Sequence, residues 1–194
     1  MSATTPARRG RPPVVDRDAV AREAIDLWST QGFAATTWDQ ISERTGVSVR
    51  TLIRRFGSQP AILARPIEAA TDRLRAALRA APADADPSDV VHTAVVASVS
   101  EDDAVRAGGL PWVRVVAAEP LLQSWLRTAY APWITELAAS IRARVPDIDD
   151  DTAYALACGF EAVANAAMQA WARAGGTGSP AAHVAAAVHR IRID

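Results

Sequence analysis

The chain has 194 residues and a formal net charge of −1, with 49% hydrophobic and 22% charged residues, which is the make-up of a soluble globular protein long enough to bury a core without disulfides or metals. Its one cysteine, Cys158, excludes an internal disulfide and any multi-cysteine zinc site. The charge is uneven, with 10 Arg against 6 acids over residues 1–65 and 11 Arg against 16 acids over residues 66–194, so a basic third suited to a polyanion precedes an acidic remainder.

In chain order, Arg8-Arg9-Gly10-Arg11-Pro12 comes first. Gly10 and Pro12 keep this arm extended, and Arg8, Arg9 and Arg11 suit a narrow minor groove, where the potential is most negative. A basic tail without a partner is the alternative. No apolar stretch of the signal-peptide kind follows the arm. Asp16 is placed to cap a helix running to about residue 31, with Val20, Ala24, Leu27 and Trp28 on one face. Gly32 stops it. Thr37-Trp38-Asp39-Gln40 has the form of a capping box and opens a short helix ending near residue 44. Gly46 supplies a tight turn, and Ser48 caps a third helix reaching Phe56. A fourth helix is expected from a Ser58 cap to about residue 81, with Pro66 kinking it and acting as a hinge.

Beyond a loop at residues 82–88 and a break at Gly108-Gly109, the spacing predicts further helices. One runs from Pro120 to about Val145, one from Asp149–Asp151 to Gly175-Gly176, and a last one opens at Ser179-Pro180. Strand patterns are nearly absent, so the expected class is all-α, an outcome the 43 alanines favour. The longest apolar run is about seven residues, against the about 20 of a spanning helix, and a soluble cytoplasmic protein without membrane contact is expected.

Residues 37–56 read as two short helices joined by a glycine-containing turn, the helix-turn-helix pattern. Ile41, Val47, Leu52 and Phe56 are spaced to pack the pair together, leaving Val49, Arg50, Arg54 and Arg55 outward. An apolar inner face with short or bidentate donors at the helix start is what a major groove requires. An ordinary helical hairpin with a solvated basic face is the competing interpretation at this point.

Gly32-Phe33-Ala34-Ala35-Thr36-Thr37, Ile41, Gly46-Val47-Ser48, Arg50-Thr51-Leu52, Phe56 and Ser58 together resemble the DNA-binding domain of the TetR family of transcriptional regulators, over roughly residues 16–65. The resemblance implies a homodimer that binds a palindromic double-stranded operator and is released by a small-molecule inducer. After the basic arm, taken as residues 1–15, it also implies a helix-turn-helix DNA-binding domain of three helices at 16–65 and a helical-bundle ligand-binding and dimerisation domain at 66–194. By position, Thr37 and Ser48 begin the two helices that meet DNA, Val49, Arg50 and Thr51 form the base-reading stretch, and Arg54 and Arg55 lie beside it. Ile53 stands where the family commonly has Tyr, and keeps a surface for a thymine methyl. Gln59 stands where a phosphate-binding Lys is usual.

In the C-terminal part, Trp112, Trp125, Tyr130 and Trp133 are concentrated, and aromatics with a few polar groups are what a small-molecule pocket needs. Along residues 152–174 one stripe holds Leu156, Phe160, Val163, Ala167 and Trp171, and the next holds Tyr154, Cys158, Glu161, Asn165 and Met168. Cys158, Glu161, Asn165 and Met168 are candidate ligand contacts, with Glu161 and Asn165 placed to orient a ligand or to meet a cation. The stripes of the last two helices, with Val184, Val188 and Ile191, are expected to pair with their twins in a dimer or else to fill the monomer core. No glycine-rich phosphate loop or nucleophile motif is present, and no metal or other cofactor is expected. An all-helical enzyme or ligand carrier with an incidental helix-turn-helix, and a sequence-tolerant DNA architectural protein, are the alternatives.

Overall fold

The computed structural model describes residues 15–99 and 109–193, and within them every regular element is helical. Arg8, Arg9 and Arg11 lie outside the described residues. The first three helices are α1 (Arg17–Gln31), α2 (Trp38–Thr45) and α3 (Val49–Phe56). Each starts and stops on local chemistry. The Asp16 carboxylate accepts from the amides of Asp18 and Ala19, and this holds its carboxyl below the usual range. Gly32 ends α1 at φ 91°, a backbone conformation that a side chain would disfavour. The capping box at α2 is complete: the Gln40 amide donates to Thr37 Oγ1 at 3.3 Å, and the Thr37 amide donates to Gln40 Oε1 at 2.8 Å. Thr37→Ala removes one half of this pair and is expected to cost about 1 kcal/mol. It would appear as a lower urea midpoint with an unchanged slope.

The next stretch departs from the expectation. Ser58 does not cap a helix. A 3-10 turn, Pro60–Leu63, comes first and α4 (Ala64–Ala80) follows it. Pro66 has no amide to give to the carbonyl of Ile62, so Ile62 sits in the tighter turn and the α-helix begins after it. Pro66 therefore occupies the first turn of α4 instead of kinking its middle. Gln59, at the head of this turn, is a structural strut: Trp28 Nε1 donates to its Oε1 at 3.4 Å, and its Nε2 donates to the carbonyl of Thr36 at 3.0 Å.

The remaining described helices are α5 (Pro87–Ser98), α6 (Gly109–Ala118), α7 (Pro120–Ala129), α8 (Ala131–Arg144), α9 (Asp150–Arg173) and α10 (Pro180–Val188). The single helix expected over 120–145 is two. Pro132 cannot bond the carbonyl of Thr128, and the chain turns at Tyr130. None of the described helices is long and apolar enough to cross a membrane.

Burial divides between two main clusters. The first holds Val20, Ala24 and Trp28 of α1, Ile41 of α2, Leu52 and Phe56 of α3, and Ile62, Leu63 and Ile67. It also takes in Val115 and Val116 of α6 and Leu122 and Leu126 of α7, so the N-terminal core is closed by helices distant in sequence. The second joins Leu74, Val91, Val95, Trp133, Leu137, Phe160, Val184 and Val188. The C-terminal segment is held to α5, with His92 Nε2 2.7 Å from the carbonyl of Ile191 and the Ile193 amide donating to Ser88 Oγ at 2.9 Å.

The faces of α9 and α10 expected at a dimer seam are turned inward. Phe160, Ala167, Trp171, Val184 and Val188 are buried in the protomer because they are the residues that α5, α6 and α8 can cover. The outward stripe of α9 is instead Ala155, Gly159, Ala162, Ala166 and Ala170.

Candidate nucleic-acid interface and ligand cavity

The turn before α3 is tight because Gly46 ends α2 in the left-handed region at φ 68°. Ser48 then caps α3: the Thr51 amide donates to its Oγ at 3.4 Å, and the Ser48 hydroxyl donates to Thr51 Oγ1 at 2.9 Å. Leu52 and Phe56 are buried, which fixes the rotation of the helix and turns Arg50, Ile53, Arg54 and Arg55 to solvent. Val49 and Thr51 are half-buried at its start. Val49, Arg50, Ile53 and Arg54 surround one shallow hollow on this face.

Pairing separates these arginines from others nearby. Arg44 is held by Glu23 and Asp26 at 2.9 and 2.7 Å, and Arg65 by Asp18 at 3.0 Å. Among the described residues no hydrogen bond or ion pair holds Arg50, Arg54 or Arg55. The face of α3 is thus an uncompensated cationic surface with one exposed aliphatic side chain, Ile53, at 44%. Thr37 is exposed at the start of α2, its hydroxyl already serving the cap. Sequence reasoning overlooked Arg17, whose guanidinium lies 5.5 Å from the centre of the Phe56 ring. Its position at the start of α1 gave no signal that it would meet the end of α3.

The second site is a cavity of about 110 Å³ where α4, α5, α6, α7, α8 and α9 converge. Six of the eight expected contacts line it: Trp112, Tyr130, Trp133, Glu161, Asn165 and Met168. Trp125 and Cys158 do not. The break at Tyr130 separates α7 from α8, and Trp125 packs on the N-terminal core, while Cys158, one turn before Glu161, packs on the second core. Sequence reasoning also overlooked Pro66, Ala70 and Arg73 from α4, and Ser98 and Val99 at the end of α5. Their helical spacing alone carried no sign of which face would meet α9.

The cavity's walls are mostly apolar, with Val113, Val116 and Leu126 beside the aromatic rings. Arg73 reaches across to the carbonyl of Ser98, donating from Nε at 3.2 Å and Nη2 at 2.6 Å. Gln169 Nε2 donates to Asn165 Oδ1 at 3.4 Å. Glu161 has no hydrogen bond or ion pair among the described residues. Burial pushes its carboxyl above the usual range, with Arg127 opposing the shift. Burial and the nearby Glu161 carboxylate together raise the Tyr130 hydroxyl well above its ordinary value, against a smaller effect from Arg73. Among the described residues no group accepts from the buried indole Nε1 atoms of Trp112 and Trp133, and a buried donor left unsatisfied costs about 1–3 kcal/mol.

Comparison with known proteins bears on both sites. Residues 21–65 match the family described as bacterial regulatory proteins, tetR family. The chain is 34% identical over 143 residues to the HTH-type transcriptional regulator TcmR of Streptomyces glaucescens, a match covering 70% of this chain and 63% of that protein. The matched stretch therefore spans less than two thirds of that relative. The fold is similar to that of the fatty acid degradation regulator FadR from Bacillus halodurans, with a TM-score of 0.65 at 11% identity over 92% of this chain and 95% of the other. It is also similar to FadR from Bacillus subtilis, solved in complex with stearoyl-CoA, with a TM-score of 0.58 at 12% identity over 88% and 95% of the two chains. At these identities the structural likeness concerns the fold.

Proposed function

From the premise that the chain belongs to the tetR family of bacterial regulatory proteins, we propose that it is a dimeric transcriptional repressor, which reads a palindromic operator with α3 and leaves it when a small apolar molecule fills the cavity. The observation that carries this reading is the unpaired cationic face of α3, on a helix whose other face is locked into a core. Arg50 and Thr51, with Val49 beside them, are the base readers. Arg54 and Arg55 neutralise phosphates, Ile53 meets a thymine methyl, and Thr37 and Ser48 meet backbone phosphates. Arg8, Arg9 and Arg11 follow the adjacent minor groove. In this division of labour residues 1–15 are the arm, 16–65 the reading head and 66–194 the sensing and pairing part.

A palindrome requires a two-fold axis. The outward stripe of Ala155, Gly159, Ala162, Ala166 and Ala170 supports pairing through α9, since small side chains let two helices approach closely and, among the described residues, the face of Gly159 opens onto free space. The ligand acts through walls that the cavity shares with the reading head. Trp112, Val116 and Leu126 line the cavity and also belong to, or pack on, the N-terminal core. A molecule that moves α6 or α7 therefore shifts the head in one step, and it releases the operator only by binding better to the arrangement that fits DNA worse.

The cavity also bears on the size of the ligand. Stearoyl-CoA sits on a protein of this fold, but a cavity of about 110 Å³ is on the scale that accepts a single aromatic ring. The test is a footprint. The purified protein is expected to protect a palindrome in DNA flanking its gene and to shift that duplex at a salt concentration that abolishes binding to random DNA. Ala162→Arg, which sets charge on the outward face of α9, is expected to leave the protomer folded and to abolish protection. Equal affinity for random duplex would overturn the assignment of α3.

A further inference from the structure

We propose that the cavity takes a small organic cation, an ammonium group bearing apolar substituents, with Glu161 as its counter-charge and the rings of Trp112, Tyr130 and Trp133 around it. The inference rests on the reading of this cavity as the ligand site and adds the chemical class of the occupant.

The argument starts from what each kind of occupant does to Glu161. Its side chain lines an apolar cavity and has no hydrogen bond or ion pair among the described residues. A neutral apolar molecule would strip the remaining water from the carboxylate and offer nothing in exchange, which is the costly way to bury a charge. An anion would add repulsion. A cation is the one charge type whose entry turns the carboxylate from a penalty into an attraction. Burial already works against the ionised form, so a bound positive charge has an effect here that it would lack on an exposed glutamate.

The aromatic lining favours the same class. Three electron-rich rings stand around the cavity, and Tyr130 and Trp133 meet edge to face at 6.3 Å, with planes 87° apart. Rings of this kind attract ammonium groups, most strongly where water is excluded. Two other charges are near. Arg73 is drawn to the Ser98 carbonyl through two nitrogens, and Arg127 is solvent-exposed on α7. Among the described residues no ion pair joins either of them to Glu161, and the pull of Arg127 on the carboxylate is outweighed by burial, so the carboxylate keeps its capacity for a ligand cation.

The experiment compares two probes of the same shape, phenyltrimethylammonium and tert-butylbenzene, which differ in carrying a quaternary nitrogen or a carbon. Binding to the full chain is read by calorimetry and tryptophan fluorescence. Glu161→Gln keeps the side-chain shape and is expected to weaken phenyltrimethylammonium by about tenfold or more, while tert-butylbenzene changes less than about twofold. Ala164→Leu, which fills the cavity wall, is expected to weaken both probes. Circular dichroism checks that each variant is folded. Tert-butylbenzene binding at the cavity without phenyltrimethylammonium, or an equal response of both probes to Glu161→Gln, would overturn the cation and leave the ligand site standing. Phenyltrimethylammonium binding untouched by Ala164→Leu would place it elsewhere and overturn the proposal. If neither probe binds, the cation and the reading of the cavity as a site for ligands of this size fall together.

Discussion

Trp133→Ala is expected to destabilise the protein by about 3 kcal/mol, the lower part of the range for truncating a large buried aromatic. The ring is 2% exposed, belongs to the second core and packs edge to face on Tyr130. Two effects oppose. Removing the ring leaves a void beside a cavity that already exists, so the walls have little reason to collapse, and the full packing loss is felt. Removing it also deletes an indole donor that has no acceptor among the described residues, which returns part of the cost. Packing is the larger effect, because the ring forfeits dozens of contacts and the donor only one bond. Urea titration at fixed protein concentration measures the difference, and concentration must be fixed because the proposed pairing would make stability depend on it. A loss below about 1 kcal/mol would mean that the ring is not part of a tightly packed core.

Arg50→Ala is expected to weaken operator binding by about 1–3 kcal/mol and to relax the preference at one base pair in each half-site. Arg50 lies in the first turn of α3, exposed and without a partner among the described residues, so its guanidinium is available for the paired acceptors of a guanine. Arg54→Ala serves as the internal comparison. One turn further along, a phosphate contact would weaken all sequences alike and lower the salt slope by about one unit. Binding measured on the operator and on a set with single changes separates the two outcomes. A uniform loss for Arg50→Ala would move it from base reading to backbone contact.

The parts of the fold legible in the sequence are those fixed by neighbours within a few residues. Asp16, the Thr37–Gln40 box, Gly46, Ser48, Asp149 and Ser179 act over one helical turn, and the helices they delimit begin where their spacing predicts. The failures are of two kinds. Pro66 and Pro132 were readable as breakers, but placing the break required knowing where the preceding turn would fit, and Pro132 divides what the apolar spacing alone joins into one helix. Rotation of a helix about its axis is the second kind. In α9 nearly every position is apolar or small, so the pattern cannot select between two stripes, and contact with α5, α6 and α8 decides. The same absence of contrast hid Gln59, whose partners Trp28 and Thr36 lie 31 and 23 residues away. It also hid the contribution of Arg73 and Ser98 to the cavity. Trp125 is the reverse case, an aromatic that suits a pocket by type and is spent on the N-terminal core instead.

The four side chains Val115, Val116, Leu122 and Leu126, which join the N-terminal core from the side of α1, set a limit on modularity. A head cut after residue 65 and transplanted onto a foreign sensor would carry the proposed operator contacts but leave part of its floor behind. Burying an aliphatic side chain of this kind contributes about 1.5–3 kcal/mol, so the graft would lose a large share of a small domain's margin unless the new host supplied matching side chains. A workable chimaera therefore has its seam within the sensor, beyond α7, or redesigns the exposed underside of α1. The same dependence links the two halves in inheritance, because a substitution in α6 that changes the cavity also changes the packing of α1, on which the proposed reading helix rests.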